Sequence, residues 1–198
     1  MFEQCSAYVI SSEVEWQSRL SYIMRQVGFS ECIRLSGTRG ILPRHPTHLP
    51  FLLIHSNANK QFALKTVDQV RANGDDTVRF MPIIMLTDEQ SERTIQKFLV
   101  LGCDDIFLYP CTARPLAKRL RMQISQPQEY FQTANYFGPD RRRNESGPTH
   151  PDRRGGKGSQ YQRFEIKRDI RGGVKILSSQ TFEPQSAVKA DNIAWQEI

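Results

Sequence analysis

Apolar residues fall in two alternating periods along the first 125 positions of this chain. Residues 7 to 11 (AYVIS) form a short apolar run suited to a buried strand, and Trp16, Leu20, Ile23, Met24 and Val27 then recur at helical spacing up to Gly28. Residues 31 to 36 (ECIRLS) read as a second strand. GTRGILPRHPTHLP follows, and its three prolines and two glycines in 14 residues argue against a full helix. FLLIHS (51 to 56) is a continuous apolar strand of the kind covered on both faces. A helical stripe through Ala63, Val67 and Val70 ends near Asn73-Gly74, and FMPIIMLT (80 to 87) is a further buried strand. Ser91 to Leu101 repeats the helical pattern through Ile95, Phe98 and Leu99 and closes at Gly102. DIFLY (105 to 109) is a fifth strand. The last helix, 113 to 124, buries Leu116, Leu120 and Ile124 and turns Arg114, Lys118, Arg119 and Arg121 outward.

Strands alternating with helices predict an α/β fold, and five such units in this length match a flavodoxin-like, doubly wound, five-stranded parallel sheet over residues 1–125. Function in such sheets collects at the carboxyl ends of the strands. Here those ends are Ser11-Ser12, His55-Ser56, Thr87-Asp88 and Tyr109-Pro110.

Residues 126–198 have a different composition, rich in Gly, Pro, Arg, Gln and Ser. Pro-Asp-Arg-Arg occurs at 139–142 and again at 151–154. The segment predicts a basic, largely disordered tail, with one short hairpin over 163–177 around Gly172-Gly173.

Charge sharpens this division. The chain carries a net +6, and residues 136–175 alone hold 11 Lys/Arg against 5 Asp/Glu. Arg141, Arg142, Arg143, Arg153, Arg154 and Arg171, interleaved with aromatic residues, are candidates for a nucleic acid or an acidic partner. A short linear motif for a protein partner and an inert solvated tail are the other readings. The four cysteines form no CxxC pair and read as buried free thiols in a reducing, cytoplasmic setting. No apolar run nears the roughly 20 residues that span a bilayer, and the N-terminus does not read as a signal peptide. His45 and His48 sit on the proline-rich loop without further ligands, so neither a metal nor a cofactor is expected.

The run LGCDDIFLYP, preceded by PIIMLT, resembles the last third of receiver domains from bacterial two-component response regulators, and the likeness extends over about residues 5 to 125. In that family an Asp after strand three accepts a phosphoryl group and two acidic residues after strand one hold Mg²⁺. A Thr or Ser after strand four and a Lys after strand five grip the phosphoryl oxygens. Carried over position by position, the resemblance places Ser11 and Ser12 at the acidic pair, His55 at the acceptor and Tyr109 at the lysine. Ile106 stands at the aromatic switch position, and Thr87 and Pro110 are kept. Asn57 can offer a backbone carbonyl, and Glu13 and Asp88 are the nearest carboxylates from which a metal site could be rebuilt.

The resemblance implies a pseudo-receiver: a signalling adaptor in a phosphorelay network, not an enzyme, that binds a histidine kinase or another regulator. Ile106, Arg114, Lys118, Arg119 and Arg121 are its candidate contact residues. The alternatives are a nucleic-acid-binding regulator using the arginine-rich tail and an atypical phosphotransfer protein using His55. The partner and the oligomeric state are not written in the sequence. Other α/β enzyme classes find no support, since no Ser/His/Asp order or glycine-rich phosphate loop is visible.

Overall fold

The computed structural model describes residues 2–35, 48–89, 91–140 and 160–183, with the side chains of 93, 94 and 97 excepted. Its first part is a sheet of β1 (Ser6–Ile10), β2 (Glu31–Arg34), β3 (Pro50–His55), β4 (Ile83–Thr87) and β5 (Asp105–Leu108). The order is β2-β1-β3-β4-β5 and every pair is parallel. This is the doubly wound order of the flavodoxin-like fold. Helices α1 (Val14–Val27) and α5 (Ala113–Ser125) bury Leu20, Met24, Leu116 and Leu120 against one face of the sheet. On the other face α2 (Lys60–Arg71) brings Ala63, Val67 and Val70 onto Leu52, Ile54, Ile83 and Met85, with Phe98 and Leu101 from the α4 region (Glu92–Val100) alongside.

Local chemistry sets the helix ends. Gly28 has φ +106°, and its N–H together with that of Phe29 closes α1 onto the carbonyls of Arg25 and Met24 in a Schellman arrangement. The Asn59 side chain accepts the Phe62 N–H at 3.0 Å and caps α2. A short helix, α3 (Asp76–Arg79), was not legible in the hydrophobic pattern. Asp75 nucleates it by accepting the N–H groups of Thr77 and Val78, so strand β4 starts at Ile83 and not at Phe80. Residues 36–47 of the proline-rich loop lie outside the described residues.

The main departure from the sequence reading comes after residue 126. The described residues there are not a tail with one small hairpin. They form an antiparallel sheet of β6 (Gln128–Thr133), β7 (Tyr136–Pro139), β8 (Tyr161–Asp169) and β9 (Gly173–Phe182), in the order β7-β6-β8-β9. The expected hairpin is its β8–β9 pair, longer at both ends. Two more strands and a shared core supply what an isolated hairpin lacks. Tyr130, Phe164, Ile166 and Val174 are buried in the same cluster as Phe2, Phe80, Leu120 and Ile124. The second sheet covers the amino-terminal ends of the parallel strands, the end opposite the predicted site. It meets residues that lead into those strands: Leu49 N–H donates to the Ile170 carbonyl, and Phe80 rings with Tyr130, Phe137 and Phe164. Gly102, at φ +77°, lets the two backbones touch, because a Cβ there would lie 2.3 Å from the Phe137 carbonyl oxygen.

A buried charge cluster fastens this junction. The Asp104 carboxylate faces Arg71 at 2.8 Å and Arg168 at 2.5 Å, and it also accepts the Ile83 N–H at 2.7 Å and the Tyr130 hydroxyl. Arg168 is 1% exposed and completes its fork on the Phe80 carbonyl, the Gln123 carbonyl and side chain, and the Tyr130 oxygen. Burial alone would push the Asp104 carboxyl up, but Arg168 and Arg71 outweigh it and hold the group below the usual carboxylate range.

A carboxyl whose native pKa is depressed contributes stability above its unfolded value, near 3.9, and loses that contribution as pH falls. The urea midpoint is therefore expected to drop as pH goes from about 5 to about 3. Arg168→Leu strands part of the Asp104 charge and is expected to cost about 3–5 kcal/mol in urea unfolding. A loss below about 1 kcal/mol would show that the cluster does not couple the sheets.

Candidate functional site

Four of the five predicted site positions meet at the carboxyl ends of the parallel strands. β3 is buried on both faces, and its alternation puts Phe51, Leu53 and His55 on the α1 and α5 side. His55 is thereby 3% exposed, with its ring 4.4 Å from that of Trp16 and 5.5 Å from that of Tyr109. Trp16 also lies 4.8 Å from Tyr109, so three rings close the space under the strand tips. The His55 Nδ1 accepts the Asn57 N–H at 3.2 Å, which places the proton of a neutral ring on Nε2. Nε2 is buried and has no hydrogen-bond partner among the described residues.

Around these rings runs a set of polar contacts. Ser11 Oγ donates to the Asn57 side-chain oxygen at 3.1 Å, and the Asn57 amide donates to Glu13 at 3.0 Å. Gln17 donates to the Ser11 carbonyl at 2.8 Å. Ser56 Oγ donates to Asp88 at 3.3 Å. Glu13 and Asp88, the two carboxylates from which a metal site could have been rebuilt, thus hang from separate partners, and Ser12 is exposed to solvent. No group of three His, Cys, Asp or Glu side chains suited to a metal is present among the described residues.

Thr87 is fully buried, and its Oγ accepts the Glu89 N–H at 3.0 Å. The hydroxyl therefore caps its own turn. Tyr109 is 3% exposed, its N–H donates to the Thr87 carbonyl, and its bond to Pro110 is cis. Burial pushes the Tyr109 phenol up from its ordinary range. Cys111 beside it is raised to about 11 by burial, and Cys5, deeper, to about 12, so neither thiol is a ready nucleophile.

The candidate contact residues are dispersed. Arg114, Lys118 and Arg121 are exposed on α5, whereas Arg119 is tied to Asp105. Ile106 packs on the opposite face of the sheet, with the α2 cluster. Arg171 lies at the β8–β9 turn, donating to Gln4 at 3.1 Å. Arg141, Arg142, Arg143, Arg153 and Arg154, and His45, lie outside the described residues. Trp16 was legible only as one residue of a helical stripe. Its position in the first turn of α1, directly after the β1 tip, is the signal that could have assigned it to the site.

Trp16→Ala uncovers Tyr109. The phenol pKa is expected to fall toward its ordinary value of about 10, read from the ring carbon shifts in an NMR titration. An unchanged pKa would show that Trp16 does not shield the site.

No family model and no curated protein matches the chain. Among solved structures it is similar to the chemotaxis protein CheY4 of Vibrio cholerae, at 19% identity and TM-score 0.49, over 61% of this chain and 98% of that one. It is also similar to a pilus assembly-related protein of Burkholderia pseudomallei, at 14% identity and TM-score 0.47, over 62% and 91%. A third similarity is to the signal receiver domain of a histidine kinase from Syntrophus aciditrophicus, at 16% identity and TM-score 0.46, over 60% and 88%. With its five parallel strands in the order β2-β1-β3-β4-β5 and helices on both faces, the part of the chain before residue 126 has the flavodoxin-like, doubly wound fold.

Proposed function

We propose that this protein is a pseudo-receiver that works as a signalling adaptor by binding other proteins of a two-component network, without accepting phosphate. The observation that carries this reading is the state of His55. It replaces the acceptor carboxylate, lies buried under Trp16 and Tyr109, and has Nδ1 engaged by the Asn57 N–H.

Phosphoryl transfer to a side chain needs an accessible nucleophile and cations that neutralise the three transferring oxygens. Ser11 and Ser12 bring no charge to hold Mg²⁺, and Tyr109 brings no cation. Glu13 and Asp88 are each taken up by a separate partner, Asn57 and Ser56. A phosphohistidine at Nδ1 would break the Asn57 contact, and one at Nε2 would have to displace the aromatic rings. What remains available is surface: the exposed cations Arg114, Lys118 and Arg121 on α5 suit an acidic partner such as a kinase domain or another regulator.

A second reading, nucleic-acid binding, keeps its support in the sequence between β7 and β8, where five arginines and one lysine face two carboxylates over residues 141–159. A mobility shift that weakens steeply with salt would favour it.

Incubating the full chain with Mg²⁺ and acetyl phosphate is expected to leave its intact mass unchanged. A stable phosphoryl adduct, located on any residue at the strand tips, would overturn the adaptor reading.

A further inference from the structure

We infer that the groove between α2 and α4 binds a small amphipathic anion of the acyl carboxylate class. This goes beyond the proposed function and does not depend on it.

The groove opens beside the ends of β3 and β4, where Ile54 and Met85 form a floor and His55 and Ser56 border it. Ala63 and Leu64 of α2 form one wall, and Leu101, following α4, contributes to the other. Its volume is about 720 Å³. That lies within the roughly 300–1,000 Å³ of small-molecule sites, which are mostly apolar with a few orienting polar groups.

Three features favour one chemical class of occupant. The floor is made of the apolar side chains of Ile54 and Met85, the latter a flexible thioether, on a fully buried pair of strands, which suits an alkyl chain better than a polar ring. Lys60 is the one lysine or arginine among the described residues that line the groove, and no carboxylate lines it. Lys60 is also the first residue of α2, a helix of 12 residues, so its ammonium and the leading N–H groups of the helix reinforce one another as a place for negative charge. Asn59 already occupies the Phe62 N–H, which leaves the ammonium as the principal partner of the head group. One groove thus offers a cation at Lys60 for the head group and apolar side chains at Ile54 and Met85 for the body. A cationic amphiphile would meet Lys60 with the same sign, and a neutral one would leave it without an ionic partner.

The test is calorimetric titration of the full chain with decanoate, decanol and decylamine. Decanoate is expected to bind saturably, decanol more weakly and decylamine not at all. Lys60→Glu, at an exposed position, is expected to lower decanoate affinity by roughly twofold to fivefold, the range of a partly exposed ion pair. Ala63→Phe fills the groove, and, where its amide spectrum shows a folded protein, saturable binding is expected to disappear. Absent or unsaturable decanoate binding, equal binding of decylamine, or a decanoate affinity untouched by Lys60→Glu would each overturn the assignment. None of these outcomes bears on whether the strand tips accept phosphate, since the titrations contain no phosphodonor.

Discussion

A carboxylate buried at the start of β5 constrains the rest of this molecule. Asp104 can stay ionised out of water only if cations and donors surround it. Those partners come from four other places in the chain: Arg71 at the end of α2, the Ile83 N–H of β4, Tyr130 of β6 and Arg168 of β8. Two of the four belong to the antiparallel sheet. Removing that sheet would leave a buried carboxylate with half its partners and Arg71 facing a gap. The two sheets are therefore coupled by the cost of an uncompensated charge as well as by the aromatic contacts of Phe80.

The arrangement divides the parallel sheet into two unlike ends. At the amino-terminal end Asp104 is buried and paired with Arg71 and Arg168, and the role of these groups is structural. At the carboxyl end the buried side chains are the His55 imidazole, the Tyr109 phenol and the Thr87 hydroxyl, with the half-buried Trp16 indole against the first two. A pocket for phosphoryl transfer needs the reverse, with charge at the carboxyl ends of the strands. Glu13 and Asp88, the nearest carboxylates, are drawn into contacts with Asn57 and Ser56.

Much of this was legible in the residues, for identifiable reasons. The parallel strands are continuous apolar runs because they are covered on both faces, and the helices announce themselves by stripes and by Gly28 and Gly102 at their ends. The second sheet was obscured by its composition. Its inner face uses few apolar residues, and it is completed by side chains from elsewhere, so read alone it appears too polar to fold. The alternation Phe164, Ile166, Arg168 on β8 does carry the signal, since all three are buried. An arginine in the third inward position reads as solvent-facing unless its partner Asp104, 64 residues earlier, is already known. Likewise Cys103-Asp104-Asp105 signals the family resemblance but not that its first carboxylate is a clamp and its second a partner for Arg119.

The antiparallel sheet also changes what the arginine-rich segment is. In the sequence it trails from a folded domain. In the structure residue 139 ends β7 and residue 161 begins β8, two strands that flank β6 on either side. The segment 141–159 is therefore joined at both ends to strands of one sheet. On that sheet Lys167 and Lys175 are cross-strand partners on β8 and β9, and both are exposed. The antiparallel sheet and the closed aromatic site thus lie at opposite ends of the parallel sheet, with the Asp104 cluster at the junction of the two sheets.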